Sequence, residues 1–439
     1  MTTPNDLPRC VTQHDPHALS VNAAQALVRE WAMQPAALET ESVALHDAPG
    51  RVLAHDLISP LNLPVHDNSA MDGFAFASAA LLTPATATAT ATLLELGIAG
   101  KALAGHPFRA AVPANQCVRI TTGAWLPEHC DTVIPHERVE EANHTIRFAA
   151  DAVRRGANCR RAGEDLAAGQ VALRAGRIIQ AADVGLLASL GLVEVTVRRR
   201  LRVAFFSTGD ELRQPGEPLD PGCVYDSNRP MLLAMLRRLN CTALDLGIVR
   251  DEPATLEAAL RNAASQADIV LSSGGVSAGE ADFTQRLLQT LGDMAFWGVA
   301  IRPGRPLTFG RIWPGEPSGN AQAALFFGLP GNPAAMMVTF YLFVREALLA
   351  RAGAQPQPLN RLRAQSREPL HKRAGRTEYL RGVARCDSDG QWQVTPTRSQ
   401  SSGALGSLTE ANCFIVLAPE QTSIQPDEAV EILLFDGLV

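Results

Sequence analysis

Hydrophobic and polar positions follow three different patterns along the chain. Residues 20–31 (SVNAAQALVREW) carry apolar side chains at helical spacing behind a possible Ser or Asn cap, which predicts a helix. From about residue 52 to 148, short apolar runs such as VRITTGAWLP are separated by Pro and Gly, which indicates a β-rich region. The TPATATATAT tract at 83–92 fits an exposed strand or a loop, and we slightly favour the loop.

Between residues 201 and 350, strand-like and helix-like segments alternate, as in a doubly wound α/β domain. We predict strands at 201–207, 243–249, 267–273 and 323–328, and helices at 229–239, 253–264, in FTQRLLQTLG and at 333–350. Asp251 precedes Glu252 and Pro253 as an N-cap would. After the RAGAQPQP linker, segments such as FIVLAP and AVEILLF predict a small terminal β domain.

Composition and charge exclude several classes of function. The 439 residues are 46% apolar and carry a net charge of −6, which indicates a soluble globular chain without broad nucleic-acid or membrane binding. The eight cysteines form no CxxC, and no signal peptide or spanning segment is expected, so a reducing cytosol is the simplest setting. No HExxH, GxSxG or Walker A motif occurs. Lys101 and Lys372 are the only lysines, so a Lys-to-Arg change within a motif carries little weight.

Three loops stand at the predicted carboxyl ends of parallel strands, where such sheets bind ligands. They are STGDEL (207–212), SSGGVSAGEADF (272–283) and LPGNP (329–333). Gly274 and Gly275 let backbone N–H groups approach a phosphate, and Ser277 adds a hydroxyl donor. Asn332 and Pro333 resemble the first positions of a helix, whose N-terminus suits an anion. Each loop alone would be an ordinary turn, but the three together favour an anion site.

Charged side chains accompany these loops. Carboxylates such as Glu211, Asp251 and Asp282 would repel a phosphate unless a cation intervened, so Mg²⁺ held by Asp251 and Asp282 is the economical interpretation. Both aspartates also stand where a simple helix cap would stand. Arg302 and Arg305 suit an oxyanion, although solvated surface arginines are the commoner outcome. The candidate binding residues are Gly274, Gly275, Ser277, Arg305, Gly331, Asn332 and Pro333.

Motifs along the whole chain resemble those of the molybdopterin molybdenumtransferases. In order they are DNSAMDGFA, RITTGAWLP, RRAGEDL, FSTGDEL, YDSNR, SSGGVSAGEADF, RPGRPL and LPGNP. The match runs from about residue 20 to the end, and the first motif paired with SSGGVSAGEADF is highly specific. The family also includes the C-terminal domain of gephyrin and the matching domain of plant cofactor-synthesis proteins.

The resemblance implies a multidomain α/β plus β fold in an elongated homodimer. Its four parts are a discontinuous linking domain at 1–52 and 152–182, an inserted β-rich domain at 53–151, a doubly wound molybdopterin-binding α/β domain at 183–350, and a C-terminal β barrel at 351–439. Pattern alone predicts three domains and misses the discontinuity.

The implied activity is insertion of molybdenum from molybdate into adenylylated molybdopterin, with Mg²⁺-dependent release of AMP. The resemblance also suggests a cytoplasmic enzyme that meets the adenylyltransferase and apo-molybdoenzymes. Carried over residue by residue, the family's functional positions fall on Asp72, Thr122, Glu164, Asp165, Glu211, Asp251, Asp282, Arg302, Arg381 and Ser402. In the expected dimer, Asp72 and Thr122 face the pterin domain of the other chain.

The sequence departs from the family pattern at Gly298, where members often carry a lysine after a Phe-Trp pair. Arg302 and Arg305 stand where lysines are common, and both keep the charge. Two other functions remain open at this point: the adenylyltransferase that precedes this step, and a scaffold that binds the cofactor without turnover. The sequence also leaves open whether molybdate or tungstate is the natural oxyanion.

Overall fold

The computed structural model describes residues 19–34, 38–82, 93–275, 287–315 and 323–435. The tract at 83–92 and the predicted site residues Ser277 and Asp282 lie outside these ranges. The helices are α1 Val21–Met33, α2 Ala181–Ser189, α3 Asn228–Arg238, α4 Pro253–Gln266, α5 Pro333–Thr339, α6 Arg345–Arg351 and α7 Leu405–Glu410. A π-helical segment, Phe340–Val344, joins α5 to α6.

Helix α1 begins where the sequence predicts, because the Ser20 hydroxyl accepts a hydrogen bond from the Ala23 N–H at 3.2 Å. Its apolar face lies in the core of the α/β domain, among residues of the π-helical segment and α6. The Gln25 amide donates to the Leu342 carbonyl at 2.9 Å, and Arg29 pairs with Glu346 at 2.7 Å. Helix α1 therefore packs against the core of the α/β domain.

The described residues of the first half of the chain form twelve strands. They are β1 Thr40–Ala44, β2 Leu57–Ile58, β3 Asn68–Ser69, β4 Gly73–Phe76, β5 Leu93–Ala102, β6 Gln116–Ile120, β7 Thr132–Pro135, β8 Glu140–Ala142, β9 Thr145–Ala149, β10 Cys159–Arg160, β11 Val171–Leu173 and β12 Glu194–Arg198. Strands β4 to β9 form one six-stranded sheet in the order β7-β4-β6-β5-β9-β8. This sheet is the predicted inserted β-rich domain.

Short antiparallel pairs connect this insert to the linking domain and make that domain discontinuous. Strand β2 pairs with β11, β3 with β10, and β1 with β12. Residues on both sides of the insert also share one small core, in which Leu53 and Leu173 pack with Leu187 and Val197. Helix α2 and strand β12 also contribute to this core, so residues after the insert pack with residues before it.

The α/β domain is built on a six-stranded sheet in the order β16-β13-β17-β21-β20-β18, with its four parallel strands on one side. The strands of this region are β13 Arg202–Thr208, β14 Leu212–Arg213, β15 Val224–Tyr225, β16 Thr242–Val249, β17 Ile269–Ser273, β18 Gly292–Trp297, β19 Ile301–Arg302, β20 Thr308–Ile312 and β21 Ala324–Leu329. The prediction of a cap at Asp251 is wrong, because α4 takes Glu252 as its N-cap and Pro253 as its first residue.

The helical segment Pro333–Arg351 is long and apolar enough to cross a membrane by length and composition. In the structure 72% of it is buried inside the protein, and its large apolar side chains, Phe340 and Phe343 among them, are in the main core. It is therefore the central packing helix of the α/β domain.

The C-terminal region is a closed five-stranded barrel, as the resemblance implies. Its strands are β22 Arg361–Ser366, β24 Thr377–Cys386, β25 Trp392–Pro396, β26 Cys413–Leu417 and β28 Ala429–Leu434, and the short pair β23 Leu370–His371 and β27 Ser423–Ile424 lies beside them. Strand β24 pairs with both β25 and β26, which closes the ring. Strand β19 adds to β24, so the α/β domain and the barrel share one sheet.

Candidate active site

The carboxyl ends of the parallel strands surround a cavity of about 570 Å³. Residues of all three predicted loops line the cavity, and the described part of the second loop ends at Gly275. Of the residues predicted from sequence, the cavity contains Glu211, Asp251, Gly274, Gly275, Gly331, Asn332 and Pro333. The position of the cavity at this edge of the sheet is where an open α/β fold binds its ligands.

Glycine is required in the turn after β17 because two loops approach each other closely there. Gly274 has φ +95°, and a Cβ atom on it would lie 2.2 Å from the Thr208 carbonyl oxygen. Gly331 is a neighbour of this turn, and a Cβ there would lie at an ordinary van der Waals distance of 3.6 Å from the Gly274 Cα. The absence of side chains thus leaves backbone groups of both loops facing the cavity.

Asn228 fixes these two loops to each other. Its amide donates one hydrogen bond to the Ser273 hydroxyl at 2.8 Å and another to the Gly331 carbonyl at 2.7 Å. The side-chain oxygen of Asn228 is buried at the cavity and has no partner among the described residues. Asn228 therefore sets the separation of the two glycine turns and offers one acceptor of its own.

Three carboxylates line the same cavity. Asp251 accepts a hydrogen bond from the Thr208 hydroxyl, which turns it toward the sheet edge instead of capping α4. Asp226 is 2% exposed and accepts the N–H groups of Asn228 and Arg229, at 3.1 and 3.2 Å. Its second oxygen is buried without a hydrogen-bond partner among the described residues, with the Arg229 Nε at 3.4 Å. Glu211 is the third carboxylate.

The barrel supplies one wall of the cavity through Gly403 and Leu405. The neighbouring Ser402 carbonyl accepts the Ala334 N–H at 3.0 Å, which joins this wall to the start of α5. Arg381 is 1% exposed, and its guanidinium donates to the carbonyls of Ser399 and Ser401 at 2.8 and 3.0 Å. Arg381 thus holds the loop that carries Ser402 and has no exposed surface with which to meet a ligand.

Arg302 lies at the interface between the α/β domain and the barrel. Its side chain is 69% exposed and lies 3.4 Å from the buried Glu378. Pro306 lines the cavity, so the RPGRPL segment reaches it while Arg302 and Arg305 lie outside the lining. Gly298 has φ +86°, a conformation that strains any L residue, so the missing family lysine coincides with a backbone suited to glycine.

Asp72 and Thr122 form a pair in the inserted domain, away from the cavity lining. The Thr122 N–H and hydroxyl donate to one Asp72 carboxylate oxygen at 2.7 and 2.8 Å. These bonds hold the pKa of Asp72 below its usual value, so the carboxylate is charged throughout the neutral range. Two residues fifty positions apart in sequence therefore act as one exposed anionic group.

The RRAGED motif stabilises the loop that carries DNSAMDG. Asp67 accepts hydrogen bonds from the Arg161 guanidinium at 2.6 Å and from the Ala162 N–H at 2.8 Å. Within the motif, Glu164 accepts the Arg161 N–H at 2.8 Å, and Asp165 pairs with Arg160. Glu164 and Asp165 therefore make local turn contacts, and the motif supports Asp72 indirectly.

Sequence reasoning missed the roles of Asp226 and Asn228. Both belong to the YDSNR motif, which was matched to the family without a chemical assignment. The available signal was Asp226 three residues before the predicted start of a helix at Arg229, a spacing at which a side chain can cap helix N–H groups. The contacts of Asn228 with Ser273 and Gly331 depend on the tertiary fold and leave no mark in the local sequence.

Family models match most of the chain. They are the MoeA N-terminal region (domains I and II) over residues 19–191, a probable molybdopterin binding domain over 204–350, and the MoeA C-terminal region (domain IV) over 363–435. A molybdopterin molybdenumtransferase of Haemophilus influenzae is 40% identical over 92% of this chain and 96% of its own length. The chain belongs to the molybdopterin molybdenumtransferase family.

Further relatives agree with this membership. A molybdopterin molybdenumtransferase of Nostoc is 34% identical over 90% of this chain and 88% of its own length. The crystal structure of a molybdopterin biosynthesis MoeA protein from Pyrococcus horikoshii OT3 is 26% identical, covers 95% of this chain and 100% of its own, and has a TM-score of 0.79. As a family member the chain is an enzyme, and the cavity described above is lined mostly by residues of the region matched by the probable molybdopterin binding domain, with Gly403 and Leu405 added from the barrel.

Proposed function

We propose that the protein inserts molybdenum from molybdate into adenylylated molybdopterin and releases AMP, which yields the molybdenum cofactor. The single observation that carries this proposal is the cavity at the strand ends, where two glycine turns held by Asn228 face the first turn of α5. Backbone N–H groups and a helix N-terminus bind phosphate oxygens, and adenylylated molybdopterin carries phosphates. A volume of about 570 Å³ is within the usual range for sites of small molecules and cofactors.

We propose that Mg²⁺ binds in this cavity. Asp251 and Glu211 line it and supply carboxylate oxygens, although the described residues alone contain no group of three or more His, Cys, Asp or Glu side chains placed to hold a metal ion. Hard oxygen ligands of this type suit Mg²⁺, which keeps several of its waters and binds phosphates alongside one or two carboxylates. Asp251 and Glu211 would hold the ion together with Asp282, which lies outside the described residues. When bound, Mg²⁺ neutralises phosphate charge and favours departure of AMP.

Different groups of the protein bind the phosphates, attract the oxyanion and position the loop of Ser402. The turns at Gly274 and Gly331 bind and orient the phosphates, and the Asn228 oxygen accepts from a donor of the ligand. Arg302 and Arg305, near the mouth of the cavity, attract the oxyanion by their charge. Arg381 keeps the loop of Ser402 in place through the Ser399 and Ser401 carbonyls. We treat Arg381 as a positioning residue for that reason.

The Asp72–Thr122 pair completes the site in a homodimer. It lies on the inserted domain, whereas the cavity lies on the α/β domain, and the family resemblance expects the two to meet between chains. An exposed, permanently charged carboxylate held by two hydrogen bonds is suited to contact a ligand presented by another subunit. We place the enzyme in the cytoplasm, downstream of the adenylyltransferase and upstream of the apo-molybdoenzymes.

The test is a reaction of purified protein with adenylylated molybdopterin, Mg²⁺ and either molybdate or tungstate, with AMP release and active cofactor measured together. We expect both products, and the ratio of initial rates identifies the preferred oxyanion. Consumption of ATP with formation of adenylylated molybdopterin from molybdopterin would support the adenylyltransferase instead. Tight binding of the substrate with neither reaction would support a scaffold.

A further inference from the structure

A second cavity, of about 190 Å³, lies between the linking domain and the back of the α/β domain. Its walls come from residues 50–52, 178 and 198–201 on one side, and from the ends of α3 and α6 on the other. None of its lining residues lines the candidate active site. It is therefore a separate feature, and neither the family motifs nor the proposed function uses it.

The charge lining this second cavity has one sign. No acidic side chain of the described residues lines it, although the whole protein carries a net charge of −6. The basic residues that line it are Arg51, Arg198, Arg199, Arg200, Arg238 and Arg345. Arg51 pairs with Glu41, and Arg199 pairs with Asp268 at 2.7 Å, so these two are compensated by carboxylates outside the cavity. The lining therefore carries six arginines and, among the described residues, no carboxylate.

Arg345 is the arginine of this lining on which the proposed anion binding depends. It is 8% exposed, yet it forms no ion pair with a carboxylate of the described residues. One Nη donates to the Gln357 carbonyl at 2.9 Å, while the buried Nε has no partner in the described part of the chain. Burial lowers the pKa of Arg345, while the charge of Glu346 opposes this shift. Glu346 pairs with Arg29, and the Arg345 Nε has no hydrogen-bond partner among the described residues, so a bound oxyanion would stabilise the guanidinium further.

The rest of the lining indicates what the anion must carry. Between the arginines the walls are apolar, with Leu201 and Leu239 on the α/β side, Leu348 and Leu349 on α6, and Val52 and Ile178 on the linking side. Inorganic phosphate would leave these walls without a partner. An oxyanion attached to a compact apolar body would fill the volume and also meet the guanidinium groups.

We propose that this cavity binds a small organic oxyanion, with its carboxylate or phosphate on Arg345 and its apolar body against Leu349 and the neighbouring leucines. Because the walls belong to two domains, the ligand contacts both of them. Binding should therefore stabilise the folded protein by an amount that rises with the logarithm of ligand concentration above Kd.

The experiment uses the full chain with benzoate and phenyl phosphate as probes, benzyl alcohol as the neutral analogue and inorganic phosphate as the anion without an apolar body. Binding is measured by titration calorimetry and by the rise in Tm. We expect one of the two aromatic anions to raise Tm in a saturable way. Benzyl alcohol and inorganic phosphate should bind at least about tenfold more weakly, because each lacks one half of the interaction. The stronger aromatic anion identifies the class of the natural headgroup.

Two variants locate the binding, and a third is the control. Arg345→Met removes the buried charge, and Leu349→Trp fills the cavity from its apolar side, so each should weaken binding at least about tenfold. If Arg345→Met does not fold, Leu349→Trp alone decides. Arg147→Ala removes an exposed arginine of the inserted domain that pairs with Glu95, and should leave binding unchanged. Absence of a saturable effect, or equal effects in Leu349→Trp and wild type, would overturn the proposal.

Discussion

The amide of Asn228 is a single side chain on which the geometry of both glycine turns depends. In Asn228→Asp, the two hydrogen bonds donated to Ser273 and Gly331 are weakened or lost, and a negative charge faces the phosphate site. We expect a loss of stability of about 2 kcal/mol from the unsatisfied buried groups. We also expect KM for adenylylated molybdopterin to rise at least about tenfold, with a smaller effect on kcat.

A matched variant separates local from general effects of that change. Asn412 also bridges backbone groups, since it bonds to the N–H and carbonyl of Ala384 at 2.7 and 2.8 Å, but it does so in the barrel. Asn412→Asp should lower stability without changing KM. Equal KM values in wild type and Asn228→Asp would refute the positioning role of Asn228.

Asp72 gives the second prediction at the scale of one residue. Because Asp72 is exposed, Asp72→Ala should leave Tm nearly unchanged, at a cost of about 1 kcal/mol or less, while insertion activity falls at least about tenfold. Mixing the Asp72→Ala and Asn228→Asp proteins tests where the pair acts. If Asp72 serves the cavity of another chain, mixed dimers contain one intact site and regain activity. Two inactive variants that stay inactive after subunit exchange would contradict action between chains.

For single residues, the sequence predicts those roles that depend on nearby positions in the chain. Gly274, Gly275 and Asp251 follow buried strands, and parallel strand ends meet at one edge, so their convergence on the cavity follows from pattern. Arg381 is different, because its burial beneath the Ser402 loop results from the closure of the barrel. The structure therefore gives Arg381 a supporting role that neither its residue type nor its motif suggests.

The turn that follows β17 gives a prediction at the scale of an element. Gly274→Ala forces a Cβ within 2.2 Å of the Thr208 carbonyl and strains a φ of +95°, so the free energy of unfolding should fall by more than about 1 kcal/mol. Gly216→Ala is the control, because its φ is +98° and nothing lies within 4 Å of the added atom. Urea unfolding measures both. The difference between the two variants is the cost of the close approach alone, and equal costs would show that the loops can separate.

The sequence pattern predicts which segments are helices and which are strands, but it does not predict which of these elements pair or pack together. The four parallel strands of the α/β sheet and helix α1 occur within a few residues of their predicted positions, because apolar spacing and capping residues are local signals. The pattern does not predict strands β18 and β20. The docking of α1 in the α/β core and the pairing of β12 with β1 depend on contacts across more than a hundred residues. The discontinuity of the linking domain comes from the resemblance and not from any local pattern.

The ion pair of Asp268 with Arg199 links acid stability to the junction of the domains. Burial raises the pKa of Asp268, but hydrogen bonds from the Arg199 guanidinium and the Arg202 N–H outweigh it, so the pKa is lowered below 3.8. Such a carboxylate stabilises the protein above the unfolded pKa, and this stability is lost as pH falls through the lowered folded pKa. Asp268→Asn should therefore cost about 2 to 3 kcal/mol at pH 7.

The pH dependence of that cost provides the check. Unfolding of wild type and Asp268→Asn should be compared between pH 7 and pH 2.5, and the difference in free energy should shrink only below about pH 4. Asp427→Asn, at an exposed pair with Arg367, is the control and should cost much less. A difference that stays constant down to pH 2.5 would contradict the role of the charged carboxylate.

The short ribbons that carry the inserted sheet also suggest how such a chain was assembled during evolution. Ile58 and Val171 are paired neighbours, so the host chain leaves and returns at almost the same point. Relative to the rest of the linking domain, residues 59–170 form one loop whose two ends are paired. The entropy cost of closing such a loop grows only slowly with its length. A gene for a smaller ancestor could therefore accept a complete coding module at this point, and its existing fold would have needed no redesign.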